Sequence, residues 1–126
     1  MVRSTIVLVC VFGVVRLVAS PDLAAPNGVA VSPSGEVYVS DIESHSVFRI
    51  TPAGKLQVVA GNGLPGYGGD GGQALVAQLR GPSALSFDPK GNLYIADSFN
   101  HRIRRIDTRG VITTVAGTGK AGYSGD

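Results

Sequence analysis

Residues 91–106 read GNLYIADSFNHRIRRI, and residues 35–50 read GEVYVSDIESHSVFRI. The two stretches lie 56 residues apart. The match extends without a gap from Pro26–Asp70 to Pro82–Asp126, with roughly 17 of 45 positions identical. A repeat of this period indicates one supersecondary unit used more than once, whose core is buried when neighbouring units stack.

Each copy contains four short apolar segments rich in β-branched residues and Tyr, which predicts four strands. Pro33 and Gly35, like Pro89 and Gly91, take the second and fourth positions of type I turns between the first two strands. We therefore predict an all-β fold of β-propeller blades, each with four antiparallel strands, and two blades present as a partial propeller. The predicted strands are 28–32, 36–40, 47–51 and 56–60, then 84–87, 92–96, 102–106 and 111–116.

The repeat also sets the domain boundaries. Within a propeller segment that runs over 26–126, blade 1 takes about residues 26–61, a glycine-rich linker takes 62–81, blade 2 takes about 82–117, and 118–126 begins the next linker. Helix formers in Gln73–Leu79 predict one or two helical turns over an edge of the sheet. Complete propellers have about four to eight blades. We therefore expect a fragment of a longer chain, or several copies that assemble a ring.

The first 20 residues are predicted to be a secretory signal peptide, with an end that could extend to residue 25. Arg3 precedes an apolar run over 5–15, which suits a signal sequence and is too short to span a bilayer. The predicted location is secreted or periplasmic, with no transmembrane span after signal removal. The alternative is that this stretch supplies buried strands of a preceding blade. The single cysteine, Cys10, lies in the run, so the body has no thiol for disulfides or catalysis.

The segment Asp97–Ile106, preceded by Gly91–Ala96, resembles the NHL repeat. The family is named for Asn-His-Leu, and the corresponding residues here are Asn100, His101 and Arg102. The glycine-rich stretch 116–126 resembles the loop of many bacterial NHL proteins, and the first copy has Ser44-His45-Ser46 in place of the Asn-His core. The resemblance implies a β-propeller but no activity, because the wider class includes binding scaffolds as well as lyases and lactonases.

Charge weighs against a nucleic-acid partner. From residue 21 onward the chain has nine basic and nine acidic residues, so it has no global basic field. The local cluster of Arg102, Arg104, Arg105 and Arg109 is not interleaved with an exposed aromatic residue in the sequence, and the first copy offers little basic charge nearby. We interpret this cluster as a solvated, partly salt-bridged strand.

Several patterns resemble chemical sites but recur in register with the blades. Residues 61–66 and 117–122 both spell GxGxxG, yet no helix or βαβ unit is predicted around them, which favours a linker. The recurring His45 and His101 are interpreted as turn residues, not metal ligands. Asp70 and Asp126 are interpreted in the same way for calcium. No cofactor is predicted, and calcium or zinc enters only if the protein is an enzyme.

Topology predicts which residues share a surface. Antiparallel strands reverse direction, so the turn between the second and third strands lies on the same face as the linker, opposite the Pro-containing turns. We predict that this loop-rich face binds the ligand. The predicted face consists of Asp41, Glu43, His45, Tyr67, Asp70, Asp97, Asn100, His101 and Tyr123.

The predicted function is an exported NHL-repeat propeller that acts as a binding or scaffold module for a protein, a peptide or a carbohydrate. The alternative is part of a metal-dependent propeller enzyme of the lyase or lactonase kind, with the metal at the ring centre. The sequence contains no recognisable nucleophile–base pair or close carboxylate dyad, so no catalytic residue is predicted. RNA binding is a third hypothesis, and it requires a cytoplasmic product.

Overall fold

The two copies of the repeat fold into two four-stranded antiparallel sheets, as predicted. The structure, a computed structural model, describes residues 5–11, 14–20 and 23–120. In each sheet the strands lie side by side in chain order. The strands of blade 1 are β3 (Pro26–Val31), β4 (Val37–Asp41), β5 (Ser46–Ile50) and β6 (Leu56–Ala60). Those of blade 2 are β7 (Pro82–Phe87), β8 (Leu93–Asp97), β9 (Arg102–Ile106) and β10 (Ile112–Ala116).

The hairpin turns confirm the chemistry expected of Pro and Gly. The Gly35 amide donates to the Ser32 carbonyl at 2.8 Å, and the Gly91 amide donates to the Asp88 carbonyl at 3.0 Å. Both glycines have φ near +90°, a conformation that a residue with a Cβ rarely adopts. These turns form one side of the sheets, which we call the Pro-turn face.

Blade 1 packs against blade 2, and a second apolar cluster lies on the side of blade 1 that faces away from blade 2. β3 lies against β7, and β4 also contacts β7. Buried residues of β8, β9 and β10 meet the buried Val47 and Ala60 of blade 1 in a single core cluster. That side of blade 2 consists of Leu93, Ile95, Ile106 and Ile112. Their repeat counterparts in blade 1 face away from blade 2 and form a second cluster with Leu23 and Phe48. These counterparts are Val37, Val39, Ile50 and Leu56.

The innermost contact between the blades depends on a missing side chain. Ser40 Oγ donates to the Ser83 carbonyl of β7 at 2.5 Å and accepts from the Gly28 amide at 2.8 Å. A Cβ on Gly28 would lie 2.0 Å from the same carbonyl oxygen. Glycine at position 28 therefore allows β3 and β7 to approach each other.

The linker lies between the outer strands of the two blades, β6 and β10. Its 3-10 turn, η1 (Ala74–Val76), contacts β6, and this confirms one helical turn at the sheet edge. Leu79 is fully buried, whereas Leu75 is 55% exposed, so the two do not share a face as their spacing of four suggests. The reason is that the chain returns to an extended conformation at Ala77, with ψ of 163°.

The amino-terminal residues form a separate hairpin of β1 (Thr5–Val11) and β2 (Val14–Ser20). Within the described residues, these two strands pair only with each other. The signal peptide therefore stays a prediction, and so does its alternative of a preceding blade. The predicted start of the next linker lies outside the described residues beyond Lys120.

Candidate functional site

Two buried carboxylates lie under the loop-rich face and bind backbone amides of its loops. Asp41 and Asp97 are the last residues of β4 and β8, and both are fully buried. Asp97 accepts a hydrogen bond from the Arg80 amide at 2.7 Å. Asp41 accepts from the amides of Ala24 at 2.8 Å and Ala25 at 3.0 Å. Each carboxylate therefore holds, by hydrogen bonds, the segment that leads into its own blade. Because both carboxylates are buried, their role here is structural.

The second 3-10 turn, η2 (Ser98–Asn100), fastens the other end of the linker. Asn100 Nδ2 donates to Asp97 and to the Gly66 carbonyl, each at 2.8 Å. The first copy has Ser44 at this position, and the Ser44 hydroxyl has no hydrogen-bond partner in the described structure. The Asn of the NHL core therefore connects the β8–β9 turn to the linker.

Arg104 is a buried cation, which corrects the interpretation of the arginine cluster as a solvated strand. Its side chain is 0% exposed and forms ion pairs with Asp97 at 3.1 Å and Asp70 at 3.0 Å. Nη1 also donates to the Gln78 carbonyl at 2.9 Å, and Nη2 donates to the Gly68 carbonyl at 3.0 Å. A buried charge needs such partners. Through them Arg104 connects β9 to two parts of the linker, one at Gly68 and Asp70 and one at Gln78.

Asp70 lies at the outer end of this network. Its carboxylate accepts hydrogen bonds from Thr114 and Tyr67, each at 2.6 Å. Partial burial raises the pKa of Asp70, but the hydrogen bonds from Thr114 and Tyr67 and the charge of Arg104 outweigh it, so the pKa lies below its ordinary value. The carboxylate is therefore committed to internal partners, which agrees with its interpretation as a turn residue.

Two aromatic side chains of this region are exposed beside cations. The guanidinium of Arg102 lies 3.6 Å from the centroid of the Tyr67 ring, and that of Arg104 lies 4.8 Å away. Tyr67 is 41% exposed and Phe99, in η2, is 59% exposed. Exposed aromatic residues thus do accompany the arginines, contrary to the sequence-based argument. The linker supplies Tyr67 from 35 positions upstream of Arg102, which adjacency in sequence does not reveal.

His45 and His101 adopt the same left-handed conformation, with φ of 52°. His45 Nδ1 accepts a hydrogen bond from the Gly81 amide at 3.0 Å, which connects the turn of blade 1 to the start of blade 2. His101 follows η2 directly, and its amide donates to the Ser98 carbonyl at 3.1 Å. Both histidines therefore shape turns. Across residues 23–120, no three His, Cys, Asp or Glu side chains are grouped to hold a metal ion.

The residues of the predicted face thus divide into a buried group, which supports the loops and which we call the frame, and an exposed group. Asp41, Asp97 and Asn100 are buried, whereas Glu43, Tyr67, Asp70 and His101 are exposed and His45 is half-buried. Hydrogen bonds through Arg104 and Gly66 bring Tyr67 and Asp70 to the Asp97–Asn100 turn. Tyr123 lies outside the described residues.

Sequence reasoning missed Arg104 and Phe99. A signal for Arg104 exists in the repeat alignment, because Arg104 replaces the buried Phe48. An arginine at an apolar position of the repeat indicates a buried cation that needs a carboxylate partner. Phe99 replaces Glu43 on a turn, and an apolar residue on a turn is a signal of an exposed contact.

A cleft of about 550 Å³ opens between the sheets on the Pro-turn face. Its apolar part includes Tyr38 and Phe87, whose rings meet edge to face at 4.8 Å. At its rim Glu36 pairs with Arg49, which also donates to Gln57 at 2.6 Å. Glu36, Arg49 and Gln57 therefore satisfy one another at this rim.

Two family descriptions match the chain. The Teneurin NHL domain matches residues 52–124, and the NHL repeat matches residues 23–50. These matches follow the strands, the Asn100-His101 turn and the linker, so the fold and the site define a segment of a β-propeller. The chain belongs to the NHL-repeat family.

The curated relatives are much longer than this chain. Teneurin-1 of Mus musculus is 32% identical over 108 residues, which cover 75% of the chain and 4% of the relative. NHL repeat-containing protein 2 of Bos taurus is 33% identical over 109 residues, covering 78% of the chain and 15% of the relative. The chain therefore spans a small part of each.

Solved propellers share the fold. A Bacteroides thetaiotaomicron protein of unknown function superposes with a TM-score of 0.70 at 27% identity, covering 85% of this chain and 29% of that one. An auxiliary nutrient binding protein from the same organism gives 0.57 at 25% identity, covering 77% and 26%. Virginiamycin B lyase from Staphylococcus aureus gives 0.58 at 24% identity, covering 81% and 30%, and this likeness concerns the fold alone.

Proposed function

We propose that this chain forms two adjacent blades of a larger NHL β-propeller that binds a protein, a peptide or a carbohydrate through its loop-rich face. The observation that carries the proposal is the division of that face into a buried frame and exposed tips. Arg104, Asp97 and Asn100 hold the frame, while Phe99 and Tyr67 remain at the surface. Binding residues are commonly carried on loops that a rigid scaffold positions.

The open side of blade 2 supports the larger propeller. Blade 1 buries Val47 and Ala60 completely against blade 2. Their repeat counterparts on blade 2 are Ile103, which is 37% exposed, and Ala116, which is also exposed. Val115 on the same strand is 45% exposed. Because units of a repeat fold bury this side against a neighbour, we infer that a further blade covers it.

Export is the second part of the proposal. Residues 1–20 have the basic start and the short apolar run of a secretory signal. The described part of the chain holds no helix with the length and apolarity needed to cross a membrane. Amino-terminal sequencing of the secreted product should give a mature start between residues 20 and 26. An intact Met1 on the functional protein would contradict export.

Ligand arrays test the binding function. The labelled full chain is applied to an array of peptides and an array of glycans, beside Phe99→Glu, which places the residue of blade 1 on blade 2. Lys90→Ala, on the Pro-turn face, is the matched control. We expect one class of probe to bind, with loss in Phe99→Glu and retention in Lys90→Ala. Absence of binding to either array, or equal binding by both variants, would contradict the proposal.

A further inference from the structure

We propose that the basic patch of blade 2, formed by Arg80, Phe99, Arg102 and Lys120, binds an acidic peptide segment that carries an apolar side chain. This inference rests on the proposed function of the loop-rich face and names its ligand class. The patch combines the exposed Arg80 and Lys120 and the half-buried Arg102 with one large exposed aromatic ring, Phe99. Such a surface matches carboxylates that flank an apolar residue.

The three cations lie around η2, the turn that contains Phe99. The Phe99 amide donates to the Arg80 carbonyl at 3.0 Å, which places these two residues side by side. Arg102 begins β9 just beyond the turn. A Cβ on Gly119 would lie 2.3 Å from Arg102 Nη2, so the segment that leads into Lys120 passes the guanidinium directly. One short turn therefore gathers cations from the linker, from β9 and from the segment after β10.

The fold does not require these residues. At the four repeat-equivalent positions, blade 1 has Ala24, Glu43, Ser46 and Leu64. Blade 1 nevertheless forms the same turn, with its carboxylate on the entering chain and its histidine in the left-handed conformation. The two blades thus share the buried carboxylate and the left-handed histidine and differ at the four patch positions. This difference indicates that the patch residues serve something other than folding.

Within residues 23–120, the cations of the patch have no carboxylate partner: none pairs with Arg80, Arg102 or Lys120. The Arg102 guanidinium lies against the Tyr67 ring and Gly119. The nearby carboxylates of Asp70 and Asp97 are both bound to Arg104. The patch therefore keeps its positive charge available to a ligand, although the body of the chain is neutral.

The geometry favours a peptide over a nucleic acid. Single-stranded nucleic acids bind by stacking successive bases on free aromatic faces. Here Arg102 already lies over the Tyr67 ring, so Phe99 is the one exposed ring of the patch that remains for a ligand, and a single ring cannot stack successive bases. The Cδ2–Cε2 edge of Phe99 lies against Gly81, and the exposed remainder of the ring can receive an apolar side chain. Glu43 on blade 1 repels acidic residues, so the peptide's acidic end belongs over blade 2.

Fluorescence anisotropy tests the inference with the full chain and a labelled decapeptide of Glu and Asp around a central Phe. Arg80→Ala and Arg102→Ser install the residues of blade 1, and Lys90→Ala with Arg109→Ala on the Pro-turn face is the charge-matched control. We expect each patch variant to weaken binding about 5-fold and their combination about 20-fold. Added salt should weaken binding by the wild type, and the control should bind like the wild type. Far-ultraviolet circular dichroism verifies that each variant is folded.

Three outcomes would overturn the inference. Equal weakening in the control variant would show general charge attraction. Stronger competition by oligouridine than by unlabelled peptide would assign the patch to nucleic acid. Equal binding of a decapeptide with Gln and Asn in place of the acids would remove the charge argument. If the acidic peptide does not bind but an array probe does so in a Phe99-dependent way, the inference fails and the proposed function stands.

Discussion

Arg104 of blade 2 occupies the repeat position of Phe48 in blade 1, and both side chains are buried. Phe48 packs among apolar residues, whereas Arg104 pairs with Asp97 and Asp70. One backbone frame thus accepts either an apolar contact or an ion-pair network at this position. The network adds hydrogen bonds to the carbonyls of Gln78 and Gly68, so it also orders the linker.

Removal of Arg104 should destabilise the protein strongly. Arg104→Ala leaves the buried Asp97 without its cation, and we expect a loss of about 3–5 kcal/mol in the free energy of unfolding, measured by urea denaturation. Arg104→Phe installs the residue of the first copy and, combined with Asp70→Val, which removes the second carboxylate, should recover part of the loss. Arg105→Ala, on the neighbouring position of β9, is the control and should cost less. Equal losses for Arg104→Ala and Arg105→Ala would contradict the network.

Acid should weaken the linker through Asp70. The pKa of Asp70 is lowered in the folded state, so its contribution to stability is fully present above the unfolded-state pKa of about 3.9 and is lost as the pH falls through the folded-state pKa. Urea midpoints measured at decreasing pH below about 4 should fall less steeply for Asp70→Asn than for the wild type. Tyr67→Phe, which removes one hydrogen bond to Asp70, should give an intermediate slope. Identical slopes in all three proteins would contradict this role.

The close approach of β3 and β7 makes Gly28 sensitive to substitution. Gly28→Ala adds a Cβ that would lie 2.0 Å from the Ser83 carbonyl oxygen. Because a backbone atom cannot move aside cheaply, we expect a loss of about 1–3 kcal/mol in thermal or urea unfolding. The reverse change at the equivalent position of blade 2, Ala84→Gly, serves as the control. A neutral Gly28→Ala would show that the blades are not packed this closely.

The repeat made most of the fold predictable, because four strands and two Gly-containing turns recur with the same spacing. The ends of the predicted and observed strands of each blade differ by at most two residues. The buried state of Arg104 was not predictable from its own strand, since three of its partners, Asp70, Gly68 and Gln78, lie in the linker, as far as 34 positions upstream at Asp70. The exposure of Phe99 likewise depends on how η2 meets the linker.

The candidate face was predictable as a location but not in its roles. Topology brings the β4–β5 turn, the β8–β9 turn and the linker together. Sequence alone does not show that Asp41 and Asp97 turn inward to bind backbone amides, because a strand-end carboxylate is equally compatible with solvent. That Arg80, Arg102 and Lys120 have no carboxylate partner within residues 23–120 became evident only once the partners of Asp70 and Asp97 were known.

Sedimentation equilibrium of the full chain tests most directly whether its two blades belong to a larger propeller. Ile103 on the open side of blade 2 corresponds to the buried Val47, so the wild type should self-associate at micromolar concentrations. Ile103→Glu should shift the protein toward the monomer while keeping its fold, and Val47→Glu should unfold it. If the wild type and Ile103→Glu both sediment as the same folded monomer, the open side needs no further blade and the account is contradicted.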